Sequence, residues 1–351
     1  MALTQEEMNY IKKALDESAR PLFLFDDDPD GTCSFLQLYK YKKDGKGIMV
    51  RAKPIVELKY KQVVDEYQPD LIFILDKPLV EEAFLEKVST PIIWIDHHKP
   101  FSGAKKFSNL KYFNPLLNDA DDNRPISYWT FQIVKKNLWV ATLGTISDWF
   151  IPDFIDEFKE KYSDLLPEKF DTVEELLFNP ESKIGKLSRI LSFNLKGNAG
   201  AALKSAIVMT RIEEPYEVLN QTTARGKFIY KKYERLAETY KELLDQAKGV
   251  FKAKKTLLVY TYEDMRISLT SDISNELLYL YPEKLTIICR HHEGEYKCSL
   301  RSSGKHDIPS MLNKAFNECK GYGGGHKFAC GACIKEDDFQ KFLKIIEKEA
   351  R

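Results

Sequence analysis

Buried strands and amphipathic helices alternate along the first third of the chain. Three continuous apolar runs, at residues 21–25, 71–75 and 92–95, read as strands covered on both faces. Around them the apolar positions take helical spacing. Met8, Ile11 and Leu15 mark a helix over 4–18, and helices are expected over 31–41, around 60–64 and over 81–87. An extended segment is expected at 48–50. This alternation predicts a mostly parallel sheet with helices on both sides. In such a sheet ligands bind beyond the carboxyl ends of the strands.

Further along, Pro125 opens a helix that continues through Trp129 and Val134 towards Leu138, and a second apolar stretch covers 140–146. Residues 151–219 read as helices interrupted at Pro167, Pro180 and Gly197. A charged helix is expected over 223–248, with a stripe formed by Tyr230, Tyr233, Leu236, Tyr240, Leu243 and Leu244. A second α/β pattern starts at Thr256. It comprises a strand at 256–260, a helix at 272–281, strands at 285–290 and 296–301 joined as a hairpin around Glu293-Gly294, and a helix at 309–319. A glycine-rich loop at 321–326, a strand through Ile334 and a helix over 339–346 complete it. The expected fold class is α/β. An N-terminal domain with a mostly parallel sheet and a helical extension (1–222) is followed by a linker helix (223–250) and a smaller C-terminal α/β domain (251–351).

A length of 351 residues accommodates this division. Lys+Arg and Asp+Glu are equal at 53 each, giving a formal net charge of zero. That weighs mildly against electrostatic wrapping of long nucleic acid, while leaving room for a local basic groove. No stretch approaches the roughly 20 apolar residues of a membrane span, and the first residues lack a signal-peptide core. A cytoplasmic location without membrane association is the expectation. Cysteines at 33, 289, 298, 319, 330 and 333 fit free thiols in a reducing compartment. Cys330-x-x-Cys333 lacks a second such pair and falls in an expected strand, which disfavours a zinc or redox role. His291-His292 reads as a strand-end surface feature without metal-binding partners.

The acidic residues change the picture because of where they fall. Asp26-Asp27-Asp28-Pro29-Asp30-Gly31 follows the first apolar run, Asp76 the second, Asp96-His97-His98 the third, and Asp148 the stretch ending at Ile146. Carboxylates beside a core are costly unless a cation or proton neutralises them. Any one of these segments reads equally well as a turn or helix cap. Their arrival at one sheet edge points instead to a metal centre. Pro29 and Gly31 let the backbone turn so that Asp28 and Asp30 face one site, and Asp26 is a further candidate ligand. Asp76 is placed to bridge two ions about 4 Å apart, His97 adds an imidazole and Asp148 a last carboxylate. Mixed carboxylate and imidazole donors suit Mn²⁺, with Mg²⁺, Co²⁺ or Zn²⁺ also accommodated. Two ions so held would activate a water and neutralise phosphoryl charge. Asp96 would fix a histidine tautomer, and His98 would hold phosphate or orient Asp96. In the C-terminal part, Gly323, Gly324 and Gly325 before His326 expose backbone N–H groups to phosphate or base. Arg301 can pair bidentately with phosphate. Tyr322 and Phe328 read either as base-stacking residues or as core.

Asp96-His97-His98 after an apolar strand resembles the signature of DHH phosphoesterases. Asp26-x-Asp28-x-Asp30-Gly31 is similar to their first motif in the RecJ-like exonuclease branch, and Asp76 and Asp148 match the second and fourth motifs. Gly323-Gly324-Gly325-His326-x-x-Ala329-x-Gly331 resembles the glycine-rich motif of the associated DHHA1 domain. The resemblance covers nearly the whole chain. It implies Mn²⁺-dependent phosphoester hydrolysis, with metal on Asp28, Asp30, Asp76, His97 and Asp148. Asp76, Asp96 and His98 form the implied catalytic group. Substrate would be held between the two domains, with His98, Arg301, the glycines and His326 as its contacts. The chain departs from the pattern at Asp26, where many members have histidine, and at Lys77-Pro78, where small residues are usual.

The resemblance leaves the substrate open. One reading is an exonuclease or nanoRNase acting on short single-stranded RNA or DNA. The compact build favours the nanoRNase type, while region 184–196 resembles archaeal RecJ-like proteins. Another reading is hydrolysis of 3′-phosphoadenosine 5′-phosphate or a cyclic dinucleotide. A third is a replication-associated scaffold with a residual metal site. Homodimerisation and a replication-complex partner stay open as well.

Overall fold

The computed structural model describes residues 2–51, 53–251, 255–263 and 267–350. The chain divides into two compact units, Met1–Tyr233 and Glu234–Arg351.

The first unit is built on strands Pro21–Asp26 (β1), Lys46–Val50 (β2), Leu71–Leu75 (β4), Ile92–Ile95 (β6) and Leu110–Phe113 (β7), with a small separate pair, Ile55–Val56 (β3) and Leu79–Val80 (β5). The main sheet runs β2-β1-β4-β6-β7 and every pairing in it is parallel. Helices Gln5–Glu17 (α1), Pro29–Lys42 (α2), Lys61–Tyr67 (α3) and Glu82–Lys87 (α4) alternate with the strands. Ile126–Val134 (α5), Leu138–Ser147 (α6), Ile155–Lys161 (α7), Val173–Phe178 (α8), Lys183–Leu195 (α9), Ala199–Met209 (α10) and Pro215–Leu219 (α11) follow. Ala224–Gly249 (α12) then carries the chain into the second unit.

The apolar runs are continuous because both faces of the sheet are covered. Phe23, Phe25, Phe73, Leu75, Ile93 and Ile95 point to one side, where they join a core with α1, α2, α5 and α6. Leu22, Leu24, Ile72, Ile74, Ile92 and Trp94 point to the other, against Val64 of α3 and Phe84 and Leu85 of α4. Strand β7 was not expected from the sequence: it is short, and Lys111 in its middle is exposed. The helix beginning after Pro125 also differs from expectation. It stops at Val134, and Lys135 and Asn137 take positive φ (49° and 61°) before α6 starts. Neither glycine nor proline marks that break.

The second unit contains Leu257–Tyr262 (β8), Thr270–Leu280 (α13), Leu285–His292 (β9), Glu295–Arg301 (β10), Ile308–Phe316 (α14), Gly321–His326 (β11), Ala329–Lys335 (β12) and Glu336–Glu349 (α15). Its sheet runs β11-β12-β10-β9-β8, with only β8–β9 parallel. The glycine-rich segment expected as a loop is therefore an edge strand, paired with β12 from Gly321↔Ile334 to His326↔Ala329. Two further corrections concern side chains. Cys289 and Cys298 lie directly opposite on β9 and β10 and form a disulfide, while Cys33, Cys319, Cys330 and Cys333 are free. His291 has partners after all: Nδ1 is 3.2 Å from Glu263 and Nε2 3.2 Å from Glu336. Cys330 and Cys333, three apart on a strand, point to opposite faces and share no site. Among the described residues, no helix is long and apolar enough to cross a membrane.

Candidate metal centre

Strand register brings the acidic residues level. Phe25 pairs with Leu75, Leu75 with Ile95 and Ile95 with Phe113. The next residue on each strand therefore lies at the carboxyl edge: Asp26 is the last residue of β1, and Asp76, Asp96 and Asn114 directly follow β4, β6 and β7. Asp76 takes φ +58°, which turns the chain out of β4 immediately after the core. Asp28 caps α2, its Oδ1 accepting the Gly31 N–H at 2.9 Å, and Pro29 stands in the first turn. A Cβ on Gly31 would lie 2.8 Å from both N and Cβ of Asp26, so glycine lets the start of α2 press against that strand end. Asp148 ends α6, and His97 follows β6.

These elements assemble three overlapping donor groups: Asp26, Asp28 and Asp76; Asp30, His97 and Asp148; and Asp76, His97 and His98. Within each, the ligand atoms lie within 4.8 Å of one another. His97 Nε2 is 3.3 Å from Asp76 Oδ1 and 3.8 Å from Asp148 Oδ2. Burial, then the charges of Asp26 and Asp30, pushes the Asp28 carboxyl up to about 7. Burial and the neighbouring aspartates push Asp76 and Asp148 well above the usual carboxylate range. Burial likewise lowers His97, which favours its neutral, ligating form.

The donor set fits a divalent cation. Asp76 Oδ1 is buried and makes no hydrogen bond among the described residues. An acceptor left so in a protein interior costs about 1–3 kcal/mol, more when charged, and an ion among these oxygens removes that cost. Asp30 is already positioned: its carboxylate accepts the N–H groups of Ile126 and Ser127, both at 2.8 Å, and the Ser127 hydroxyl. The start of α5 thus holds it by oriented dipoles. A Cβ on Gly144 would lie 2.6 Å from Cβ of both Cys33 and Ser127, so the glycine lets α6 close on the residues that hold Asp30.

Asp96 is wholly buried and is not itself a member of the three donor groups, but contacts one of their members, His98. It accepts the His98 N–H at 3.1 Å and lies 2.8 Å from His98 Nδ1. Burial lowers the His98 pKa, but the hydrogen bond and charge of Asp96, aided by Asp28 and Asp26, outweigh it and the net shift is upward. Asn114, one residue past β7, donates to the His98 carbonyl at 2.8 Å. Neither Asn114 nor Ser127 was identified from sequence. The polar residue ending a fourth strand and the helix start after Pro125 were the available signals. Lys77 was visible only as a departure, yet its Nζ sits 2.7 Å from Asp26 Oδ1.

In the second unit, Arg301 ends β10 with Nε donating to Asn275 at 2.6 Å and Nη1 to the carbonyls of Leu300 and Cys330. Burial lowers its pKa. Gly323, Gly324, Gly325 and His326 are exposed on the edge strand. Tyr322 is 70% exposed and Phe328 38%, which sets aside core packing for both.

Residues 254–351 match the DHHA1 domain. No curated protein sequence matches the chain. In fold, the chain is similar to RecJ in complex with Mn²⁺ from Thermus thermophilus, with a TM-score of 0.68 at 16% identity, covering 100% of this chain and 55% of that one. It thus spans about half the length of that relative. It is also similar to exonuclease RecJ bound to manganese (TM-score 0.60, 15% identity, covering 100% and 96%). A third likeness is to a pGpG-specific phosphodiesterase from Vibrio cholerae (TM-score 0.53, 13% identity, covering 94% and 98%). The chain thus contains a DHHA1 domain and has a RecJ/DHH-like fold, with an acidic and histidine cluster able to coordinate a divalent metal.

Proposed function

We propose that this protein is a Mn²⁺-dependent phosphoesterase that hydrolyses short single-stranded oligonucleotides, as an exonuclease or nanoRNase. The observation that carries this reading is the buried Asp76 Oδ1, without a hydrogen bond among the described residues and set among carboxylates whose pKa values are pushed up by burial and by their own crowding. Such a cluster is a poor resting state without a cation and a good one with it. Asp28, Asp30, Asp76, His97 and Asp148 would hold the metal, with Asp26 at the margin. Mg²⁺ or Co²⁺ would also be accepted by these donors. Bound there, divalent ions supply an activated water and neutralise charge on the phosphoryl oxygens.

The protein's own groups do the remaining work. Asp96 orients His98 through Nδ1 and keeps it protonated to higher pH, so that Nε2–H can donate to a phosphoryl oxygen. Asp30, fixed by α5, and Asp76, fixed by the turn after β4, keep their oxygens at constant spacing without reorganisation. In the DHHA1 domain, Arg301, the backbone N–H groups of Gly323, Gly324 and Gly325, and His326 bind the substrate's phosphates. Tyr322 stacks on a base.

A nucleotide-sized substrate, 3′-phosphoadenosine 5′-phosphate or a cyclic dinucleotide, is the second reading. The likeness to the pGpG-specific phosphodiesterase favours it. Product analysis on 5′- and 3′-labelled RNA and DNA ladders with Mn²⁺, run beside these small substrates, decides. Stepwise shortening of the ladders is expected. Turnover of the small substrates alone supports the second reading. Folded, Mn²⁺-bound protein without turnover of any phosphoester would overturn both and leave a scaffold role.

A further inference from the structure

We infer that the ammonium group of Lys77 takes Asp26 out of metal coordination, so that the centre holds one divalent ion tightly and a second only weakly. The inference rests on the reading of this cluster as a divalent-metal centre.

Lys77 is only 1% exposed, so its side chain is fixed rather than solvated. The turn at Asp76 sets its course, and the Trp94 indole N–H pins its backbone carbonyl at 2.8 Å. Nζ then lies 2.7 Å from Asp26 Oδ1 and 3.1 Å from the Lys53 carbonyl. The same Asp26 oxygen also accepts the Asp27 N–H at 2.8 Å. Asp26 is therefore already paired with a buried lysine inside the protein. A divalent ion sharing that carboxylate would face the ammonium at short range, with little water between them to screen the repulsion. Removing Lys77 from the pair is equally unfavourable, because among the described residues Asp26 is the one carboxylate its buried ammonium pairs with.

The remaining donors divide unequally. Asp30, His97 and Asp148 form one group, with Asp76 Oδ1 3.3 Å from the shared His97 Nε2. Without Asp26 its group reduces to Asp28 and Asp76, and Asp28 Oδ1 is partly committed to capping α2; the third group, Asp76, His97 and His98, shares His97 with the first and has His98 Nδ1 committed to Asp96. Lys77 thus acts as an internal, immovable cation beside the second position.

Mn²⁺ titration of the metal-free full-length protein, followed by calorimetry and by electron paramagnetic resonance, tests this. One tight equivalent and a clearly weaker second are expected. Asp26→Asn should leave the tight equivalent within about threefold. Lys77→Met should strengthen the second by about tenfold or more and bring in the resonance signature of coupled ions. Two equally tight ions in the wild type, or loss of a tight ion in Asp26→Asn, would overturn the inference. Should Lys77→Met fail to fold by circular dichroism, the wild-type count and Asp26→Asn still decide it. No Mn²⁺ binding at all would instead remove the metal-centre reading on which it rests.

Discussion

His98 turns both its ring Nδ1 and its own backbone N–H onto one carboxylate, that of Asp96, at 2.8 Å and 3.1 Å. The two contacts fix the ring and commit Nδ1, so that only Nε2 is left for another molecule. Asp96 in turn is wholly buried at the end of β6, and its backbone N–H is bonded to the Phe113 carbonyl at 3.1 Å.

Asp96→Asn keeps the shape and removes the charge. The His98 pKa, net raised by Asp96 against burial, should fall. A raised pKa keeps the imidazolium present to higher pH, so the variant should lose its protonated His98 at lower pH. The alkaline limb of the rate profile is expected to move down, and the optimal rate to drop about 10–100-fold. An unshifted limb in a pH–rate series would remove His98 from the reaction.

Asp76→Asn is the cleanest ligand deletion, because asparagine tolerates the positive φ of this position. It should cut turnover by about 100-fold or more and abolish strong Mn²⁺ binding. The metal-free variant should melt no lower than the metal-free wild type, since one member of a mutually repelling carboxylate group is gone. Calorimetry with and without Mn²⁺ checks both.

The metal-free protein should carry a pH signature from the same crowding. Asp28 is pushed up to about 7, and Asp76 and Asp148 are raised well above the usual range. For acids raised on folding, the native state holds more protons than the unfolded chain between the unfolded and folded pKa values. Stability from these groups is complete below about pH 4 and is lost as pH rises through the folded values. In chelator, the melting temperature should therefore fall between about pH 4 and about pH 7 more steeply in the wild type than in Asp28→Asn. Asparagine keeps the cap on α2, so the difference isolates the charge. Mn²⁺ should reverse the trend, because ligation needs the deprotonated forms.

Gly144→Ala tests the packing behind Asp30. The added methyl would meet Cys33 and Ser127 at 2.6 Å, so α5 or α6 must shift. Overpacking of this kind costs about 1–3 kcal/mol. Because Ser127 holds Asp30, weaker Mn²⁺ binding should accompany the lower stability in a urea titration. Stability loss with unchanged Mn²⁺ affinity would separate α5 from the centre.

Tyr322→Ala should leave the melting temperature unchanged, since the side chain is largely exposed on the edge strand. As a base-stacking residue it should instead weaken oligonucleotide binding by about 1–3 kcal/mol, read as a raised KM.

The apolar runs and the acidic residues that follow them were legible because both are local: a strand buried on two faces is apolar throughout, and its end is polar. What was not legible depends on register and on distant partners. Asp30 meets Ser127 across a long stretch of sequence, and only the packing of α2 on α5 brings the pair together. The Cys289–Cys298 disulfide follows from the β9–β10 register, which residue spacing alone does not specify. The run Gly321–His326 carries every signal of a loop, and becomes a strand because β12 supplies hydrogen bonds that glycines cannot advertise. Lys77 looked like a mere departure from a pattern; its role emerged only when the turn at Asp76 aimed it at Asp26.

The all-parallel pairing of the first sheet also governs when the centre comes into being. Each parallel neighbour is reached through a crossover rather than a hairpin, so the contacts that define this sheet are long in sequence and slow to form. Asp30, Asp76, His97 and Asp148 meet only after β1, β4 and β6 have found one another. An ion therefore has a complete set of ligands in the native state alone, and cannot template the chain on the way there. Bound at this cluster it would act afterwards, by mass action: at about a hundred times its dissociation constant it would add about 2.7 kcal/mol to the unfolding free energy. The free concentration of metal around the molecule would then set how far the finished sheet is stabilised.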